Sequence, residues 1–135
     1  MPETFELEII TPQKVALKKD VSYLRVPGTE GNLGVYPDHS PLLTTLDTGA
    51  VYFEDLIEGA MEPMFISGGF IEVLPEKVTI MADLVEWQKD IDLERAEGAR
   101  KRAEERLRSK DTDVNLRQAE AALKRSLYRI MVKHG

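Results

Sequence analysis

"LVEWQKDIDLERAEGARKRAEERL", residues 84–107, is where the chain changes its period. Before it, apolar side chains alternate with polar ones in short runs. Beyond Trp87, Ala96, Ala99, Ala103 and Leu107 recur at steps of three and four, which sets them on one face of a helix. Residues 88–134 contain no proline and a single glycine, Gly98, so little interrupts a helical backbone. Asp90 or Asp92 can cap its first turn, because a carboxylate there accepts from N–H groups that lack a partner inside the helix.

A second stripe of the same spacing follows: Leu116, Ala119, Leu123, Leu127 and Ile130. Asp111 to Asp113 are its candidate caps. The connection "RSKDTD", residues 108–113, is short and polar, which predicts an antiparallel α-helical hairpin over 87–135. The alanines of the first stripe allow the two helices to approach closely. Such a hairpin has little core of its own, so it must pack on the rest of the chain or on another protein.

Upstream, residues 1–86 read as strands. "FELEII" places Phe5, Leu7 and Ile9 on one face and Glu6 and Glu8 on the other. "VSYLRV" (21–26), "AVYFEDL" (50–56), "MFIS" (64–67), "FIEVL" (70–74) and "KVTIMADL" (77–84) follow, with prolines and glycines between them, Gly68-Gly69 included. This pattern predicts an N-terminal antiparallel β-sandwich. Trp87, at the junction, is expected to plug the interface between sandwich and hairpin.

The chain has 135 residues, 42% of them hydrophobic, enough for one ordinary core or one small core and an appendage. It has no cysteine, which excludes disulfides and thiolate metal sites. No run approaches the ~18–20 apolar residues of a membrane span. "MPETFELEII" at the start lacks the basic and apolar regions of a secretory signal. The net charge of −6 is unevenly divided. Residues 1–87 carry 5 Lys and Arg against 15 Asp and Glu, whereas residues 88–135 carry 13 against 9. The acidic part is a poor partner for nucleic acid, whose phosphates need Lys and Arg.

"GVYPDHSPLL", residues 34–43, sets Asp38, His39 and Ser40 side by side. Neighbours in extended chain point to opposite faces, so these three do not form a nucleophile–base–orienter chain. Pro37 and Pro41 bracket them and make the run a rigid turn, in which His39 is expected to place a ring nitrogen on the turn backbone. No nucleophile elbow, metal cluster or Walker loop occurs, and no catalytic residue is expected.

The hairpin offers a different chemistry. Arg95 and Arg102 are seven apart and nearly share a face, as do Arg125 and Arg129, four apart. With the turn near residue 111, residue 95 falls about level with residue 127. Four guanidiniums could then converge on one patch, where a polyphosphate would bridge them through charge-assisted bonds. Solvated arginines paired with Glu94, Glu97 or Glu120 are the plainer alternative.

"GNLGVYPDHSPLLTTLDTGAV", residues 31–51, resembles the signature of the ε subunit of F-type ATP synthase, with Gly31, Gly34, His39, Pro41, Leu42, Leu43, Leu46 and Gly49 in the family's order. "ITPQKV", "ISGGFIEV" and "VTIMAD" also fit. The resemblance implies a β-sandwich followed by a helical hairpin, without catalytic residues of its own. It implies a central-stalk subunit bound to γ and to the c-subunit ring. Its hairpin, when extended, would reach the α/β catalytic head and inhibit ATP hydrolysis, with Arg106, Arg108 and Lys110 as candidate contacts for an acidic loop there. The turn residues Glu30, Asp38, His39 and Ser40 are candidate contacts to the ring. The complex implied sits on the cytoplasmic side of a bacterial plasma membrane, so the chain would meet the membrane only through it.

"IDLERA", residues 91–96, is similar to the motif with which some bacterial relatives bind ATP. That likeness implies a site of Glu86, Ile91, Asp92, Arg95, Ala96, Arg102, Arg125 and Arg129. Asp92 and Glu86 would hold the adenosine part and the arginines the phosphates. No cofactor is required, and ATP would act as a regulatory ligand. A stand-alone nucleotide-sensing module is the alternative reading.

Overall fold

The computed structural model describes residues 3–109 and 115–135. Alternation makes strand β1 (Phe5–Ile10) two-faced, with Phe5, Leu7 and Ile9 buried and the glutamates turned outward. The remaining strands are β2 (Val15–Val21), β3 (Tyr23–Gly28), β4 (Gly31–Val35), β5 (Leu42–Asp55), β6 (Gly59–Ala60), β7 (Met64–Val73), β8 (Lys77–Ala82) and β9 (Val85–Trp87). They form one hydrogen-bonded sheet in the order β2-β1-β8-β7-β5-β3-β4, with β6 on β5 and β9 on β7. The sheet folds over a single core to which Leu7, Ile9, Leu24, Val26, Val35, Val51, Phe53, Met64, Ile66 and Ile80 contribute. This is the expected sandwich with one departure: β1 and β8 run parallel, while every other pair is antiparallel.

Two local expectations change. "VSYLRV" is not one strand. Val21 ends β2, Ser22 forms a bend held by its N–H and hydroxyl to the Glu54 carbonyl, and β3 restarts the alternation with Leu24 and Val26 inward. "MFIS" and "FIEVL" are one strand, β7, because Gly68 and Gly69 bend it without ending it. Their φ values are +85° and +141°, and a Cβ on Gly69 would lie 2.1 Å from the Met81 carbonyl oxygen. Only glycine fits a backbone that close. Across this bend β7 changes partner, leaving β9 for β8 in the same register.

Helix α1 (Leu93–Arg108) begins where Asp92 caps it, Oδ1 accepting from the Arg95 N–H at 3.1 Å. Helix α2 (Leu116–His134) is capped by Asn115, whose Oδ1 accepts from Gln118; the expected caps Asp111 and Asp113 lie outside the described residues. The two helices pack on each other through small buried residues, Ala96 and Ala103 of α1 and Ala119 and Ser126 of α2. The Ser126 hydroxyl is satisfied by the Leu123 carbonyl at 2.8 Å. The predicted stripe on α2 is rotated, since Leu116 and Leu127 are exposed and Val132 is buried. The reason is that α2 serves two neighbours. One side meets α1 and another meets β5 and β7.

On the sandwich the period of two provides the second contact. Val51, Met64 and Ile66 face the core, so Ala50, Tyr52 and Phe65 face outward under the helix. Phe65 and Ala50 join Ile91 and Val132 in a separate apolar cluster, with Tyr52 and Tyr128 packed against it. Trp87 does not plug this interface. It pairs with Met64 and packs on the sandwich core, because the alternation of β9 points it inward with Val85.

Candidate functional site

A cleft of about 440 Å³ opens between α1 and β9. The helix supplies Arg95, Ala96, Ala99 and Arg102, and the approach to it supplies Asp90 and Asp92. Positions 92, 95, 96, 99 and 102 share one helical face, which explains why they arrive together. From Asp92 to Arg102 the rise along the axis is about 15 Å, so the face begins acidic and becomes basic. The strand side supplies Leu84 and Glu86, and α2 supplies Arg129.

Arg129 is the most constrained of the cations. Its Nε donates to Glu86 Oε1 at 2.5 Å, and its guanidinium lies over the Phe65 ring, 4.6 Å from the centroid. Phe65 and Glu86 are register partners on β7 and β9, so a cross-strand pair forms the seat for one side chain of α2. Among the described residues neither Arg95 nor Arg102 has an ion-pair partner. Two unpaired guanidiniums facing one cleft favour an anion between them.

The structure thus brings together Glu86, Asp92, Arg95, Ala96, Arg102 and Arg129 of the anticipated ATP-binding set. Arg125 does not line the cleft, and Ile91 sits at 3% exposure in the apolar cluster under α2. Ile91 anchors the entry to α1, assisted by Gln88, whose side-chain amide donates to the Val132 carbonyl at 3.0 Å while Lys133 donates to the Gln88 carbonyl at 3.1 Å. Leu84, Asp90 and Ala99 line the cleft in addition to that set. Periodicity marks two of them, since Leu84 is two residues from Glu86 and Ala99 four from Arg95; proximity of β9 to α1 is the part no local pattern carries.

Elsewhere, a second ion pair joins α2 to the sandwich, Lys124 Nζ to Asp47 Oδ2 at 2.5 Å. This hydrogen bond to Lys124, with the Thr48 amide, holds the Asp47 carboxyl below its ordinary range. His39 places Nδ1 2.6 Å from the Ser40 carbonyl oxygen, so the Asp38-His39-Ser40 run is a turn. Asp38 there has φ +63° and donates its amide to the Pro75 carbonyl. Glu30 lies in the turn between β3 and β4, which instead leans on Thr45 through Thr29. On α1, Arg106 is exposed and Arg108 pairs with Glu104 at 3.3 Å; Lys110 lies outside the described residues.

The outer face of the sheet carries an apolar row. Val15, Ile10, Met81, Phe70 and Thr45 are successive register partners across five strands, with Leu43 beside Thr45's end of the row. Val15, Leu43, Phe70 and Met81 are all exposed, although each is large and apolar.

Comparison with known proteins matches both the β-sandwich and the helical hairpin. The family description "ATP synthase, Delta/Epsilon chain, beta-sandwich domain" matches residues 4–88, and "ATP synthase, Delta/Epsilon chain, long alpha-helix domain" matches residues 89–133. The chain belongs to the ATP synthase delta/epsilon family. An ATP synthase epsilon chain of Nitratidesulfovibrio vulgaris is 42% identical over 133 residues, 98% of both chains. One from Pelotomaculum thermopropionicum is 48% identical over 108 residues, 80% of this chain and 79% of the relative. Among solved structures, a chain of the Euglena gracilis mitochondrial ATP synthase shares the delta/epsilon fold at a TM-score of 0.87 and 23% identity, covering 100% of this chain and 84% of that one. No described helix is long and apolar enough to cross a membrane.

Proposed function

We propose that this chain is the non-catalytic epsilon chain of an F-type ATP synthase, a rotor subunit of its central stalk whose helical hairpin responds to ATP. The cleft between α1 and β9 carries the nucleotide part of this reading. Its acidic beginning suits the hydroxyls and amine of an adenosine, and Arg95, Arg102 and Arg129 suit the phosphates. A ligand there would tie α1 to the sandwich and stabilise the docked hairpin by its differential affinity. Low ATP would release the hairpin toward the α/β catalytic head, where Arg106 and Arg108 would meet acidic groups, and ATP hydrolysis would fall. ATP is a regulatory ligand in this scheme and no cofactor is needed.

The sandwich supplies the mechanical role. The exposed apolar row suits a permanent protein neighbour, which we assign to γ. The polar turns at Glu30 and at Asp38, His39 and Ser40 suit the hydrophilic loops of a c-subunit ring. The chain would then lie on the cytoplasmic side of a bacterial plasma membrane, attached through the complex alone, with no nucleic-acid partner.

Calorimetric titration of the full chain with ATP tests the nucleotide site. Saturable binding, lost in both Arg95→Ala and Arg102→Ala, is expected; a flat titration up to millimolar ATP would remove ATP from the scheme. Removal of residues 88–135 should raise ATP hydrolysis by the assembled complex, and unchanged hydrolysis would reject the inhibitory role.

A further inference from the structure

Six of the nine residues that line the α1–β9 cleft are charged; the other three are Leu84, Ala96 and Ala99. We infer that Leu84 is the surface against which the nucleobase of the ligand packs, and that it therefore sets the discrimination between a nucleoside triphosphate and a bare polyphosphate. This rests on the nucleotide reading of the cleft. The orientation of Leu84 follows from the strand. Val85 and Trp87 pack on the sandwich core, so alternation turns Leu84 and Glu86 outward toward α1. The Leu84 carbonyl accepts from the Ser67 N–H at 3.1 Å, which ties its backbone to β7 and fixes where the side chain stands.

Leu84 is 41% exposed, an apolar residue left in water at the edge of a charged cleft. From α1 the apolar lining is Ala96, itself buried, and Ala99, half-buried between Arg95 and Arg102. Among the described residues Leu84 is therefore the one large apolar side chain that lines the cleft, and Ala99 the only other apolar one that is not buried. A planar ring laid on Leu84 removes apolar surface of both partners from water. Phosphate groups gain nothing from such surface and draw on the guanidiniums instead. Leu84 thus contributes to binding of the base and not to binding of the charge.

Titration calorimetry of the full chain with ATP and with inorganic tripolyphosphate separates the two. Leu84→Gln keeps a side chain of comparable size and removes its apolar character. It should weaken ATP binding about tenfold while changing tripolyphosphate binding by less than about twofold. Leu84→Met should hold both within about twofold. The urea midpoints of both variants should match the parent's, because Leu84 lies outside the sandwich core. Equal weakening of both ligands in Leu84→Gln would overturn the inference, as would undiminished ATP affinity. Failure of the parent chain to bind either ligand would overturn the nucleotide reading first, and it is seen before any variant is made.

Discussion

The sandwich fills its interior with Leu7, Ile9, Phe53, Ile66 and Ile80, whereas the helices close on Ala96, Ala103, Ala119 and Ser126. Large side chains remove much more apolar surface from water than methyl groups do. The sandwich therefore carries its own stability, and the hairpin borrows its stability from the face it lies on. That face is small: the cluster of Ala50, Phe65, Ile91 and Val132, two ion pairs from α2, and the exchange between Gln88, Val132 and Lys133. An element held by few contacts is one that opens at low cost. The part that would transmit torque is thus the more stable one, and the part that would regulate is the more easily released.

The largest expected effect is in the sandwich. Phe53→Ala should cost about 3–5 kcal/mol and lower the urea midpoint for sandwich and hairpin together, because α2 then loses its platform. A hairpin that kept its helical circular dichroism after the sandwich unfolded would show that it does not depend on the sandwich for its stability. Val132→Asp should cost on the order of 3 kcal/mol at the docking face alone. Hydrogen exchange should then show the amides of α1 and α2 losing protection while those of β1, β5 and β8 keep theirs.

A smaller effect is expected at the seat of Arg129. Arg129→Met removes the Glu86 ion pair and the contact with Phe65, at a cost of about 1 kcal/mol. The difference from the parent should shrink as salt is raised, and a salt-independent difference would assign the effect to packing. Acid should also act within the sandwich. Asp55 accepts from the Glu58 and Ile57 amides at 3.0 and 2.8 Å and pairs with Lys19 at 3.0 Å, which lowers its pKa to about 2. A depressed carboxyl pKa stabilises the fold above the unfolded value near 4 and loses that contribution as pH falls through about 2. Asp55→Asn should flatten the pH dependence of stability over that interval. The smallest change is at Asp38, where φ is +63°. Asp38→Gly should raise stability by about 0.5 kcal/mol through relief of the left-handed backbone, read as a slightly higher melting temperature.

What the sequence determined by itself was local and periodic. The alternation in "FELEII" specified which face of β1 is buried, and the run of alanines after Trp87 specified a helix, because both periods are properties of a few adjacent residues. The Asp92 cap and the shared face of Arg95 and Arg102 were legible for the same reason. Tertiary structure decided what depends on neighbours distant in sequence. The parallel pairing of β1 with β8 is invisible locally, since each strand alone would accept either direction. Gly68 and Gly69 read as punctuation, yet they let one strand pass close to Met81 and change partner. The rotation of α2, which exposes Leu127 and buries Val132, follows from its having to satisfy α1 and the sheet at once. The cleft is decided at the same level. Leu84 acquires a role only because the strand that turns it outward lies opposite the charged face of α1.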